Sequence, residues 1–394
     1  MTKKSSNKKG LNRRKFFSVL TAGSVGAFLL PANIGKLFAQ DTADKKPETN
    51  IAEALKHPRT STSMPGKYPS SVVKVYHENC LSDNQPDQEA AYKMITSGML
   101  ALTGEESIKE AWSNFVKPDE VIGLKLNPVA GKMLSTSHGV VKATIKHLEE
   151  AGIPRENIVL WDRREFQLHE TGFTEENYPR IKIRGTEIKD KEDSFYNKDG
   201  ILYGEEMIDK DWYYWADVEG KYDEHTLPYM VNEGKYSYFS KICTQEVDKI
   251  INIPILKNAG SSITLCMKNL GYGVISNTGR LHEKLWSETS AEVCAFPPVR
   301  DKVVLNIVDG IKGCFNGGPA ANPQFITEYK TMLFGSDAVA VDRVGYEIIL
   351  AKRIEEKIQE ADKPKSRQFM EYANELGLGE SDIEKIKLRE IKLA

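Results

Sequence analysis

Apolar positions in this chain fall into short β-branched runs separated by longer amphipathic stretches. Residues 72–76 (VVKVY) alternate and predict a first strand, while 89–102 and 105–115 carry helical spacing. Residues 121–127 (VIGLKLN) predict a second strand. Val140, Val141, Ile145 and Leu148 then share one face of a helix over 140–151, which Gly152 and Pro154 end. A third strand follows at 158–161. This strand–loop–helix–strand unit of about forty residues predicts a right-handed parallel crossover.

The most telling stretch is 248–273, DKIINIPILKNAGSSITLCMKNLGYG. Its opening run (Ile250, Ile251, Ile253, Ile255) reads as a strand buried on both faces. Leu256, Lys257, Asn258, Ala259 and Gly260 read as the turn after it. A helix follows, with Ser261 and Ser262 as its caps and Lys268 and Asn269 near its end. Residues 163–240 are rich in Tyr, Trp, Lys and Asp without clear period, and read as an insertion or lid. Residues 274–300 read as an irregular loop. Strands at 303–308 and 331–334, a helix over 338–351 and a final strand-like KLREIKL complete the pattern. The fold class this predicts is α/β, a mainly parallel sheet with helices on both faces and an inserted irregular α+β lid region.

Charge changes the picture at one end. Residues 1–39 hold eight Lys/Arg and no acid, so the remainder carries 54 − 8 = 46 basic against 56 acidic residues, or −10. An acidic body offers no surface for nucleic-acid phosphates. The basic start runs into Arg13-Arg14-Lys15-Phe16-Phe17, then into a moderately apolar run from Val19 to Leu30. This resembles a twin-arginine export signal with a cut after Ala39, and it implies a periplasmic or extracellular protein delivered by that machinery. The run is short of the roughly 20 residues of a membrane span. Residues 40–70 read as a linker and 71–394 as the folded domain. Five cysteines without a C-x-x-C exclude an iron–sulfur or zinc motif and read as buried thiols, with room for one disulfide.

Candidate chemistry gathers where strands end. Lys125, Asn127, Lys132, Ser135 and His138 lie between a strand and a helix N-terminus, a place that favours anions. Asp162, Lys257, Asn258, Lys268, Asn269, Asp309 and Asp337 lie at or beyond other strand ends, and Gly317 and Gly318 belong to a glycine-rich loop. Carboxyl ends of parallel strands share one edge of a sheet, so several of these meet in one cleft. Lysines with amides suit a carboxylate, phosphate or enolate. Asp162, Asp309 and Asp337 are the donors for a divalent metal instead. In a catalytic reading Lys257 or Lys268 stabilises negative charge while His138 or Asp309 moves a proton. No G-x-G-x-x-G follows a strand and no G-x-S-x-G is present, which disfavours NAD and a serine hydrolase.

Three stretches, IINIPILKN…TLCMKNLGYG, IVDGIKGCFNGGPAAN and GSDAVAVDRVGYEII, with KLNPVAGKMLSTSHGVVKATIKHLEEAGI upstream, resemble the DUF362 family over roughly residues 70–390. The resemblance implies an α/β fold and no specific activity. Some relatives carry a ferredoxin-type module that this cysteine pattern lacks. Where relatives often place a His after the Lys of a P-x-L-K segment, this chain has Asn258. Two function classes remain open. One is an exported enzyme on a small anion, an oxidoreductase or isomerase. The other is a non-catalytic binding or accessory protein of an exported redox enzyme.

Overall fold

The computed structural model describes residues 46–220, 234–260 and 262–394. The basic leader and the cap expected at Ser261 lie outside the described residues. An eleven-stranded mixed sheet organises the chain. In chain order its strands are β1 (Ser71–His77), β2 (Ile122–Lys125), β3 (Ile158–Trp161), β4 (Lys182–Arg184), β5 (Lys249–Asn252), β6 (Ile255–Ala259), β7 (Ser262–Thr264), β8 (Val303–Cys314), β9 (Ile326–Thr327), β10 (Thr331–Gly335) and β11 (Lys387–Leu393). In space the main path runs β11-β1-β10-β8-β5-β2-β3-β4. Every pair along it is parallel except those made by β10, which is antiparallel to both β8 and β1.

Alternation along the strands splits the core in two. Leu124, Leu160, Ile251, Ile307 and Met332 point to one face, against Met94 and Ile95 of α1 (Gln88–Thr103) and Val141 and Ile145 of α2 (His138–Glu150). Trp161, Ile250, Val308 and Leu333 point to the other. They meet Leu270 of α3 (Cys266–Gly271), Val293 of α4 (Trp286–Ala295), Val341 of α5 (Ala338–Glu355) and Phe369 of α6 (Gln368–Glu375). The α/β class with a mostly parallel sheet and helices on both faces is what the periodicity predicts.

Helix starts are set by side-chain caps. Asp87 accepts from the Ala90 amide (2.8 Å) ahead of α1, and Asp337 accepts from the Ala340 amide (2.9 Å) ahead of α5. Gly104 ends α1 in the left-handed conformation (φ 76°).

The structure departs from the sequence reading in four places. Residues 256–259, expected to turn, are strand β6, and Ser262, expected to cap a helix, lies in β7. The cause is tertiary. β8 is twelve residues long and runs past the sheet edge, where Ile255 pairs with Asp309 and Lys257 with Cys314 across a bulge. Residues 274–300 are not an irregular loop but contain Leu281–Lys284, α4 and Pro297–Arg300. Eight of the ten residues of α4 are buried, so no amphipathic period marks it. Part of the expected linker packs on the body: Ala54 is buried and the Met64 amide bonds the Arg300 carbonyl (2.8 Å). Inside 163–240 lies a separate hairpin, Ile208–Trp215 with Tyr236–Ser240. All five cysteines are free and buried.

Candidate functional site

Four strands deliver polar side chains to one end of the sheet. β2 ends in Lys125 and continues to Asn127, β3 leads directly into Asp162, Arg163 and Arg164, β5 ends in Asn252, and β6 carries Lys257. The short helix α3 adds Lys268 and Asn269.

At the floor, the Lys125 ammonium is fully buried and ion-paired with Asp162. Its other hydrogens go to the Leu126 carbonyl (2.8 Å) and to Asn269 Oδ1 (3.2 Å). Three N–H donors meet three acceptors, the condition for keeping a charge in the interior. Gly273 makes room for it: a Cβ there would lie 2.7 Å from Lys125 Nζ. Beside this pair runs a chain of amides. Lys257 Nζ donates to Asn127 Oδ1 (2.8 Å), and Asn127 Nδ2 to Asn269 Oδ1 (2.9 Å). Asn269 Nδ2 donates to Asn252 Oδ1 (2.8 Å), and Asn252 Nδ2 to Asn306 Oδ1 (3.0 Å). Asn306 Nδ2 ends the series on the Gly335 carbonyl (3.2 Å). Each link fixes which way the next amide faces, so Asn127 presents its oxygen to Lys257.

Above this floor is a cavity of about 270 Å³, lined among others by Asn127, Lys257, Lys268, Arg163, Tyr272 and His282. Burial pulls the Lys257 amine down to about 7, with Lys268 and Lys125 adding to the effect and Asp162 opposing it. Burial likewise lowers Lys268 to about 8. Among the described residues Lys268 makes no side-chain hydrogen bond or ion pair; its Nζ stands 5.6 Å from the centre of the Tyr272 ring. His282 stacks obliquely on Tyr272 with ring centres 4.4 Å apart. Burial first, then the Lys268 and Arg163 charges, lower its pKa to about 4. Arg163 and Arg164 share the buried Glu187, at 2.9 and 2.8 Å, and Arg163 also bonds Thr278 Oγ1 and the Tyr272 carbonyl.

Of the residues singled out in the sequence, Lys125, Asn127, Asp162, Lys257, Lys268 and Asn269 come together here. The others do not. Lys132, Ser135, His138 and Asp309 line a second cavity of about 250 Å³. There the His138 ring nitrogens meet the Tyr178 hydroxyl (2.6 Å) and the Thr171 carbonyl (2.9 Å), and its ring stacks on Phe173. Asp309 is buried and accepts from the Ser137 amide (2.9 Å), while burial raises its pKa. Asn258 Nδ2 bonds the Ser262 and Gly260 carbonyls and so ties the β6–β7 hairpin. Gly318 packs its bare backbone on the Asn258 carbonyl, and Gly317 sits at φ 74°. Asp337 accepts from the Ala340, Ser70 and Glu380 amides, anchoring α5 and the C-terminal segment. Asp162, Asp309 and Asp337 therefore do not form one metal site. Among the described residues no three His, Cys, Asp or Glu are placed to hold an ion.

The sequence does not single out Arg163, Arg164, Tyr272 and Thr278, and it places His282 only within the 274–300 segment read as a loop. Arg163 and Arg164 directly follow the strand-end Asp162, a position that marks ligand-facing groups in parallel sheets. For His282 the signal was absent, because the segment holding it shows no period.

The fold and site define an α/β protein with a cationic pocket at the carboxyl ends of parallel strands. A family model described as "Domain of unknown function (DUF362)" matches residues 215–347, the segment that carries β5 to β10, α3, α4 and the first half of α5. The match supports the resemblance drawn from the sequence motifs. No curated protein matches the chain. A crystal structure of a structural-genomics target from Thermotoga maritima is similar at a TM-score of 0.36 and 10% identity, over 68% of this chain and 60% of that one.

Proposed function

We propose that this is an exported protein whose strand-end pocket binds a small organic anion and acts on it by acid–base chemistry. Charge supports the reading. Arg163 and Arg164 share one carboxylate, Glu187, while Lys125 pairs with Asp162, and Lys257 and Lys268 add two further amines to the lining. The observation that carries it is Lys268, an amine lining the cavity with no hydrogen-bond acceptor among the described residues. A carboxylate or phosphate oxygen would supply that acceptor. Lys257 and Lys268, lowered to about 7 and 8, exchange protons near neutral pH, as acid–base catalysts must. A divalent metal forms no part of this reading, because Asp162 is committed to Lys125 and the other two aspartates lie elsewhere.

Calorimetric titration of the full chain and of Lys268→Met with oxalate tests the reading. Binding should weaken by about tenfold or more in the variant, the loss of one charge-assisted contact. Equal binding by both proteins would overturn it.

A further inference from the structure

Two lysines line the cavity, a third lies in the floor beneath it, and their partners set them apart. Lys125 places all three hydrogens on protein acceptors. Lys257 donates one to Asn127 and is shut off from solvent. Of the three, Lys268 alone is partly exposed, and it donates no hydrogen bond among the described residues. A buried ammonium without acceptors is costly, whereas a neutral amine needs none and keeps a lone pair. Deprotonation of Lys268 breaks no hydrogen bond to the described residues, and the amine it leaves faces the cavity as a nucleophile.

His282 completes the arrangement. Its Nδ1 lies 3.0 Å from the Thr278 carbonyl, which only accepts, so the proton sits on Nδ1 and Nε2 keeps its lone pair. Lys268 and His282 flank the same tyrosine ring and line the same cavity.

We propose, resting on the anion-binding reading above, that the ligand is a small carboxylate bearing an aldehyde or ketone, and that Lys268 forms a Schiff base with it. The Nζ lone pair attacks the carbonyl carbon, a C–N bond forms, and the carbonyl π pair moves to oxygen. That oxygen takes up one proton to become a hydroxyl, and a second as the C–O bond breaks. Nζ gives up two protons in all, so amine plus carbonyl becomes imine plus one water, with no oxidant or reductant. His282 Nε2 takes a proton from Nζ and returns it to the departing hydroxyl. Arg163, Arg164 and Lys257 supply the positive surroundings for the carboxylate. Protonated again at nitrogen by a proton from solvent, the imine becomes an iminium that draws electrons from the adjacent carbon, which suits proton transfer or decarboxylation there.

The test uses glyoxylate, the smallest acid with an aldehyde, and sodium cyanoborohydride on the full chain, with the adduct mapped by peptide mass spectrometry. One adduct per chain is expected on Lys268, formed about tenfold or more faster than on surface lysines and suppressed by oxalate. It should vanish in Lys268→Met and form about tenfold more slowly in His282→Gln while oxalate still binds. Oxalate binding with no Lys268 adduct above the surface background, or an adduct on Lys257 instead, would overturn the imine and leave the anion site standing. Failure of oxalate to bind at all would remove both.

Discussion

Lys125 and Lys268 stand within one site yet meet opposite fates, and the difference lies in acceptors rather than in residue type. Lys125 has Asp162 and two carbonyl-type oxygens; Lys268 has an aromatic face and open space. Burial that lowers Lys268 from its ordinary value to about 8 is a stability cost wherever the unfolded amine is charged. The fold therefore gains stability as pH rises from about 8 toward the free lysine value and lacks that gain at pH 7. Lys268→Met should be more stable than the parent by about 1–3 kcal/mol at pH 7, and the gap should close by about pH 10. Urea denaturation at both pH values checks this. Lysines and amides at strand ends were legible because apolar runs mark strands and the next polar residue marks their mouths. His138 and Asp309 satisfied the same rule and serve a different cavity, since sequence does not say which way a loop turns. Arg163 needed the fold, because its partners Glu187 and Thr278 lie far away in the chain.

Elements rather than single residues decide where the cavity forms. β8 continues past β5 and pairs with β6 across a bulge, and this raises Lys257 over the floor made by β2 and β3. A run such as Leu256-Lys257-Asn258-Ala259 reads as a turn by local preference; its pairing to β8 is a long-range contact that overrides it. Helix placement on the opposite face is equally tight. Gly98 of α1 lies so close to β10 that a Cβ would overlap the Phe334 ring. Gly98→Ala should cost about 1–3 kcal/mol through overpacking despite its better helix propensity. Chemical denaturation of the variant, with helical content unchanged by circular dichroism, would show this. α4 escaped the sequence reading for a related reason: a helix buried on nearly all sides has no polar stripe to announce it.

At the scale of the whole molecule, the fold class was the most legible property, since period-2 and period-3.6 segments alternate in the order a mainly parallel sheet requires. Among the described residues no helix is long and apolar enough to cross a membrane. The paired arginines of the leader, outside the described residues, carry the export proposal. Arg13→Lys with Arg14→Lys should hold the protein in the cytoplasm while leaving its folding unchanged. Cell fractionation reads the outcome, and undiminished export of the double variant would refute the twin-arginine route.

The central claim is that the strand-end pocket selects negative charge. Oxalate and oxamide have nearly the same size and shape and differ in charge, so calorimetry of the full chain with each is the most direct test. The account predicts saturable oxalate binding that weakens with added salt, and an oxamide affinity lower by about tenfold or more. Equal affinity for the two, or no binding of oxalate, would contradict it.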